Sequence, residues 1–235
     1  MSNQMDLKQE IKAEKGKFKT LSFGQKITYI KDYYWMHILT VIILLVVIYS
    51  IYITYQAKNF NTVLYCVLVN NAKSSWDPDT DSYETALSKH FEEYLGIDGD
   101  KDRVIIDNNY ILDYERDPEM SVYAAESLVA MIYGSQLDIL IGDELSLDYF
   151  CEDDDTFFHP LNEIFDEEFL NRHQDKIVYH TYADGTKVPV AFDISQCSLT
   201  KKAELTVSPA LISVYSNTTR LDCAKEYIQF ILDEK

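Results

Sequence analysis

Asn61-Thr-Val-Leu-Tyr-Cys-Val-Leu-Val-Asn70 is a short apolar run closed off by asparagine at each end. Strict alternation would mark a strand with one wet face, whereas an unbroken run of this length marks a strand covered on both faces, as in parallel sheets. The chain beyond it keeps that rhythm. Asp81, with Glu84 three residues on, forms a capping box and opens a helix that carries Tyr83, Leu87, Phe91, Tyr94 and Leu95 on one side. Gly96 ends it. Residues 103–107 (RVIID) read as a second strand. Asp117-Pro118, a cap followed by proline at the first helical position, opens a second helix that runs to Tyr133 and stops at Gly134. Residues 138–141 give a third strand. The order is βαβαβ, which right-handed crossovers turn into a parallel sheet with helices on its faces.

The second half is less regular. Short helical pieces are expected at 144–150, 160–165 and 166–173. Asp184-Gly185 lies between strand-like residues 176–182 and 186–192, a hairpin signal, and Pro189 in the return strand requires an edge or a bulge. Residues 210–215 read as a further strand. The last helix, 219–232, aligns Leu221, Ala224, Ile228 and Ile231 in one stripe. The expected fold class is α/β: one three-layer domain at 56–235, with a mostly parallel sheet and a β-hairpin.

Upstream of the first strand, residues 35–55 read WMHILTVIILLVVIYSIYITY. About 20 residues at about 1.5 Å each span the hydrocarbon of a bilayer, so a transmembrane helix is expected before the α/β domain. Thr40 and Ser50 can hydrogen-bond back to helix carbonyls, and Tyr33, Tyr34, Trp35, Tyr52 and Tyr55 suit the two headgroup levels. Residues 1–34 form a basic tail whose first 20 residues are polar and Lys-rich. In it Ser22 resembles an N-cap, and Phe23, Ile27, Ile30 and Tyr34 recur at helical spacing with Lys26 and Lys31 between them. Seven lysines face four acids there, net +3, while residues after Tyr55 carry 14 cations against 35 acids, net −21. The positive-inside bias then places the N-terminus in the cytoplasm and the C-terminal domain outside a cell membrane crossed once. A cleaved signal peptide is the competing reading, but the apolar run is long and no A-x-A site follows it.

A domain at −21 repels phosphate, which excludes nucleic acid as a partner. Cys66, Cys151, Cys197 and Cys223 permit up to two disulfides in three pairings, although Cys66 in an apolar strand and Cys223 beside a buried stripe also suit small buried hydrophobes. Their spacing fits no zinc motif. Glu152-Asp-Asp-Asp155 lacks the glycine-turned spacing of a calcium loop and reads as a solvated acidic loop. His159, His173 and His180 have no metal-ligand spacing, and the chain holds no G-x-S-x-G, Walker or G-x-G-x-x-G motif, so no catalytic residue and no cofactor is expected. The candidate site is the crevice beyond the carboxyl ends of the strands. Asn70, Asn71 and Trp76 would wall it after strand one, Asp107 and Asn108 after strand two, and Gly142 and Asp143 after strand three. Asn and Asp offer hydrogen bonds to a small polar solute and Trp a stacking face; alternatively these residues only cap the next helices.

In sequence, the segments resemble the first lobe of type 2 periplasmic solute-binding proteins, the family that delivers sugars and peptides to ABC importers. Three passages carry the resemblance: Met131-Ile-Tyr-Gly-Ser-Gln-Leu-Asp-Ile-Leu-Ile-Gly-Asp143, Asp184-Gly-Thr-Lys-Val-Pro189, and Ala210-Leu-Ile-Ser-Val-Tyr-Ser216 with Ala224-Lys-Glu-Tyr-Ile-Gln-Phe-Ile231. The entry to the span, Phe23-Gly-Gln-Lys-Ile-Thr-Tyr-Ile-Lys-Asp-Tyr-Tyr-Trp35, resembles that of single-span membrane proteins of Firmicutes. The family's second lobe is missing, because only residues 195–209 stand where it would be inserted. The expectation is therefore a membrane-anchored, non-catalytic binding domain whose partner is another envelope protein of a transport or wall-associated assembly. The alternative is a solute receptor of an ABC importer using the same lobe. Eighteen tyrosines, among them Tyr110, Tyr114, Tyr149 and Tyr182 in polar stretches, favour contact surfaces.

Overall fold

The structure is a computed structural model that describes residues 22–58, 60–71, 85–98, 101–151 and 156–233. It divides into two units, residues 1–59 and 60–235. Among the described residues the first is one helix, α1 (Phe23–Lys58). The Gln25 side chain accepts the Ser22 N–H at 3.0 Å, half of a capping box. Residues 33–57 contain no Asp, Glu, Lys or Arg, and Tyr34–Tyr55 is long and apolar enough to cross a bilayer. Thr40 and Thr54 donate their hydroxyls to the carbonyls of Met36 and Ser50, both at 2.8 Å, which leaves neither donor bare on an apolar surface.

The second unit is built on a six-stranded sheet. In chain order its strands are β1 (Asn61–Val69), β2 (Asp102–Tyr110), β3 (Ile139–Gly142), β4 (Ile177–Thr181), β5 (Lys187–Asp193) and β6 (Leu211–Val214). In space they run β2-β1-β3-β6-β5-β4. The βαβαβ half behaves as the apolar runs imply: β1 pairs in parallel with β2 and with β3. The expectation of a mostly parallel sheet fails in the other half, where β3–β6, β6–β5 and β5–β4 are all antiparallel. The sheet is mixed. Its cause is local: Gly185, at φ +85°, turns the β4–β5 hairpin, and β6 then enters between β3 and β5 rather than extending an edge. Pro189 sits at a bulge, since Val178 pairs with Ala191 and Tyr179 with Pro189. Of β5, only Phe192 and Asp193 pair with β6, so no ladder asks for the missing proline N–H from that side.

Helices cover both faces. They are α2 (His90–Leu95), preceded by a π-helical turn at Thr85–Lys89, α3 (Pro118–Tyr133), α4 (Glu144–Tyr149), α5 (Leu161–Ile164), α6 (Glu167–Arg172), α7 (Ser198–Lys202) and α8 (Leu221–Leu232). Alternate strand residues feed two separate cores. Leu64, Cys66 and Leu68 of β1 join Ile139, Ile141, Ile212 and Val214 against Phe91 of α2 and Tyr227, Ile228 and Ile231 of α8. Val67, Val69, Leu140 and Leu211 join Ala125, Leu128 and Ile132 of α3 and Leu147 of α4. Phe91 is fully buried, 4.8 Å from the Tyr227 ring and 5.2 Å from that of Phe230; burying such a ring is worth about 1.5–3 kcal/mol. Tyr227 donates its hydroxyl to the Leu87 carbonyl at 2.8 Å, which ties α8 to the π-helical turn.

Helix boundaries follow their caps. The Asp117 side chain accepts the Met120 N–H, Pro118 fills the first position, and Gly134 closes α3. Gly96, at φ +66°, closes α2. The capping box at Asp81 and Glu84, Tyr83, the Glu152–Asp155 loop and the polar residues 1–21 lie outside the described residues. None of the four cysteines is in a disulfide, and Cys66 and Cys197 are buried.

Candidate functional site

The carboxyl ends of β1 and β3 meet at Asn70. Its backbone is left-handed, φ +59°, a conformation Asn tolerates better than most residues, and this turns the carboxamide toward β3. The amide nitrogen lies 3.1 and 3.0 Å from the two carboxylate oxygens of Asp143, 3.1 Å from Ser146 Oγ and 3.2 Å from the Leu112 carbonyl. Its oxygen accepts the Leu112 N–H at 2.7 Å. Asp143 is also the N-cap of α4, accepting the Ser146 N–H at 2.9 Å and its hydroxyl at 2.6 Å. Ser146 can come this close because Gly142 has no side chain: a Cβ there would stand 2.9 Å from Ser146 Cβ. Asn70, Gly142 and Asp143 are thus brought together, and the Asn70 and Asp143 side chains bond to one another, to α4 and to the Leu112 backbone.

The other sequence-chosen residues do not join them. Asn71 is buried and turns away, its oxygen accepting the Thr206 N–H and hydroxyl at 2.8 and 2.9 Å. Asp107 and Asn108 are not beyond the end of β2 but within it, because the strand continues to Tyr110. Asp107 accepts the Tyr65 hydroxyl at 2.9 Å and both the backbone and side-chain N–H of Asn109. Burial, then the Asp107 charge, raises the Tyr65 hydroxyl well above its ordinary range. Trp76 lies outside the described residues.

Beside these residues the surface carries exposed tyrosines. Tyr114, in the loop between β2 and α3, stacks on Tyr149 of α4 with ring centroids 5.9 Å apart. Desolvation, with a hydrogen bond to Tyr149, pushes the Tyr114 hydroxyl up to about 12. Leu145, one turn before Tyr149 on the same helix face, is exposed.

At the opposite end, sequence reasoning missed a buried ion pair. Asp138, fully buried just before β3, accepts from Arg220 Nε at 2.7 Å, from the Tyr65 N–H at 2.7 Å and from the Thr218 hydroxyl. The Arg220 guanidinium also donates to the Gln136 carbonyl at 2.6 Å. A shallow recess lined by Asn61, Thr62 and residues 219–223 opens beside it. Burial raises the Cys223 thiol there to about 11, so it is neutral and poorly nucleophilic. The one available signal was an acid leading the apolar run 139–142, a charge that needs a partner. Among the described residues no three His, Cys, Asp or Glu side chains gather to hold a metal ion.

Fold and site together define an α/β domain with helices on both faces of a mixed sheet, in which Asn70, Asp143 and Ser146 at the strand ends hydrogen-bond to one another. No protein-family model, no curated protein and no solved structure matches this chain.

Proposed function

We propose that this chain is a single-pass membrane protein whose C-terminal domain lies outside the cell and acts by binding another envelope protein rather than by catalysis. The apolar span within α1 and the charge contrast between residues 1–34 and those after Tyr55 support the anchoring and its direction. In this reading the domain is a one-lobed relative of solute-binding proteins that has given up the grip on solute.

The observation that carries the reading is the carboxamide of Asn70. In open α/β sheets the ligand position is the crevice at the strand ends, and here Asn70, Asp143 and Ser146 meet there and hydrogen-bond to one another. The Asn70 and Asp143 groups that would hold a sugar or an amino acid are already hydrogen-bonded within the domain. Exposed tyrosines on the rim suit a protein surface instead. Thermal unfolding of the full chain in nanodiscs, with and without sugars, amino acids and short peptides, tests this. The melting temperature is expected to stay unchanged, whereas a saturable rise with any one solute would establish specific binding by mass action and overturn the reading.

A further inference from the structure

The outer face of α4 carries exposed apolar and aromatic side chains. Leu145 and Tyr149 lie on it, 71% and 41% exposed, and Tyr114, 42% exposed, leans against Tyr149. Rings with few rotatable bonds lose little entropy when covered, so such a stripe is suited to contact. Its surroundings are strongly acidic. Residues 113–119 hold four carboxylates and a single cation, Arg116, and residues 143–148 hold three carboxylates and no cation. Among the described residues, Glu115, Glu119, Glu144 and Asp148 take part in no ion pair.

We propose that this face receives an arginine-bearing apolar segment of the partner protein. The inference rests on the binding role argued above and supplies the partner's chemistry. An apolar side chain of that segment covers Leu145. A guanidinium can lie flat on a tyrosine ring and pair with a carboxylate at the same time, whereas a lysine ammonium is a more strongly hydrated point charge without that planar fork. The carboxylates repel acidic proteins and anionic lipid, and they speed the approach of a cationic segment.

The test places p-benzoylphenylalanine at Leu145 in the full-length chain in its native membrane, irradiates, and sequences the crosslinked peptide by mass spectrometry. The expected peptide has a net positive charge, with arginine inside an apolar stretch. Adding Glu144→Lys and Asp148→Lys is expected to lower its yield by about tenfold, as facing charges set the encounter rate. A net-negative peptide, a lipid adduct or a yield indifferent to the charge reversal would overturn the proposal. A second probe at Lys202, exposed at the end of α7, separates the levels of failure. Adducts from Lys202 alone reject this face but keep a binding role; adducts from neither site reject both.

Discussion

Asn70 concentrates the chemistry of the strand-end crevice in one side chain. A carboxamide donates to Asp143 and accepts from Leu112 at once, which an ionised carboxylate cannot do. Asn70→Asp keeps the shape and sets two carboxylates about 3 Å apart, which cannot both ionise cheaply. The folded-state pKa of one of them then rises above its unfolded value of about 3.9, so the deficit is complete at neutral pH and shrinks as pH falls through the raised value. The variant is expected to lose about 2–4 kcal/mol at pH 7 and to approach the parent near pH 4, read from thermal unfolding of the full chain at both pH values. Equal deficits at both would show that the two groups are not in contact. The sequence places Asn70 and Asp143 at the right end of the sheet, but 73 residues separate them, and no local pattern says that each satisfies the other. Asp107 is misplaced for a simpler reason: Asn108 and Asn109 are poor strand formers, so β2 reads as ending three residues early.

Among the elements, α4 depends most on a single backbone position. It has only six residues, too few to persist without docking, and it docks by pressing Ser146 against the end of β3. Gly142→Ala inserts a methyl group 2.9 Å from Ser146 Cβ and is expected to cost about 1–3 kcal/mol by pushing the first turn away. Proteolysis between α4 and α5 should become faster in the variant; unchanged cleavage and stability would mean that the helix has room to shift. Elements with strong punctuation were readable beforehand: Asp117-Pro118 and Gly134 frame α3, and Asp184-Gly185 sets the hairpin. Strand direction was not readable. The Leu211–Val214 run, all buried, has the same composition whether it pairs in parallel or antiparallel, and its neighbours are fixed only by the fold around it. The helix α7, five residues with no side-chain cap, left no sequence signal at all.

Across the molecule, Asp138 and Arg220 join the first half of the domain to the last helix. The carboxylate is fully buried, so removing the cation strands a charge. Arg220→Met is expected to cost about 3–5 kcal/mol, read as a lower urea midpoint with an unchanged slope for the full chain in detergent. A loss under about 1 kcal/mol would mean that the Tyr65 and Thr218 hydrogen bonds suffice to hold the carboxylate.

The position of β6 carries a consequence for how the domain is made. Residues 211–214 are synthesised after both of their neighbours, yet they sit in the middle of the sheet, between β3 and β5. An emerging polypeptide that stops short of them holds two half-sheets with facing raw borders, open to the wrong strand. Assembly therefore closes from the inside, and a truncation just before Leu211 is expected to leave both half-sheets unable to join.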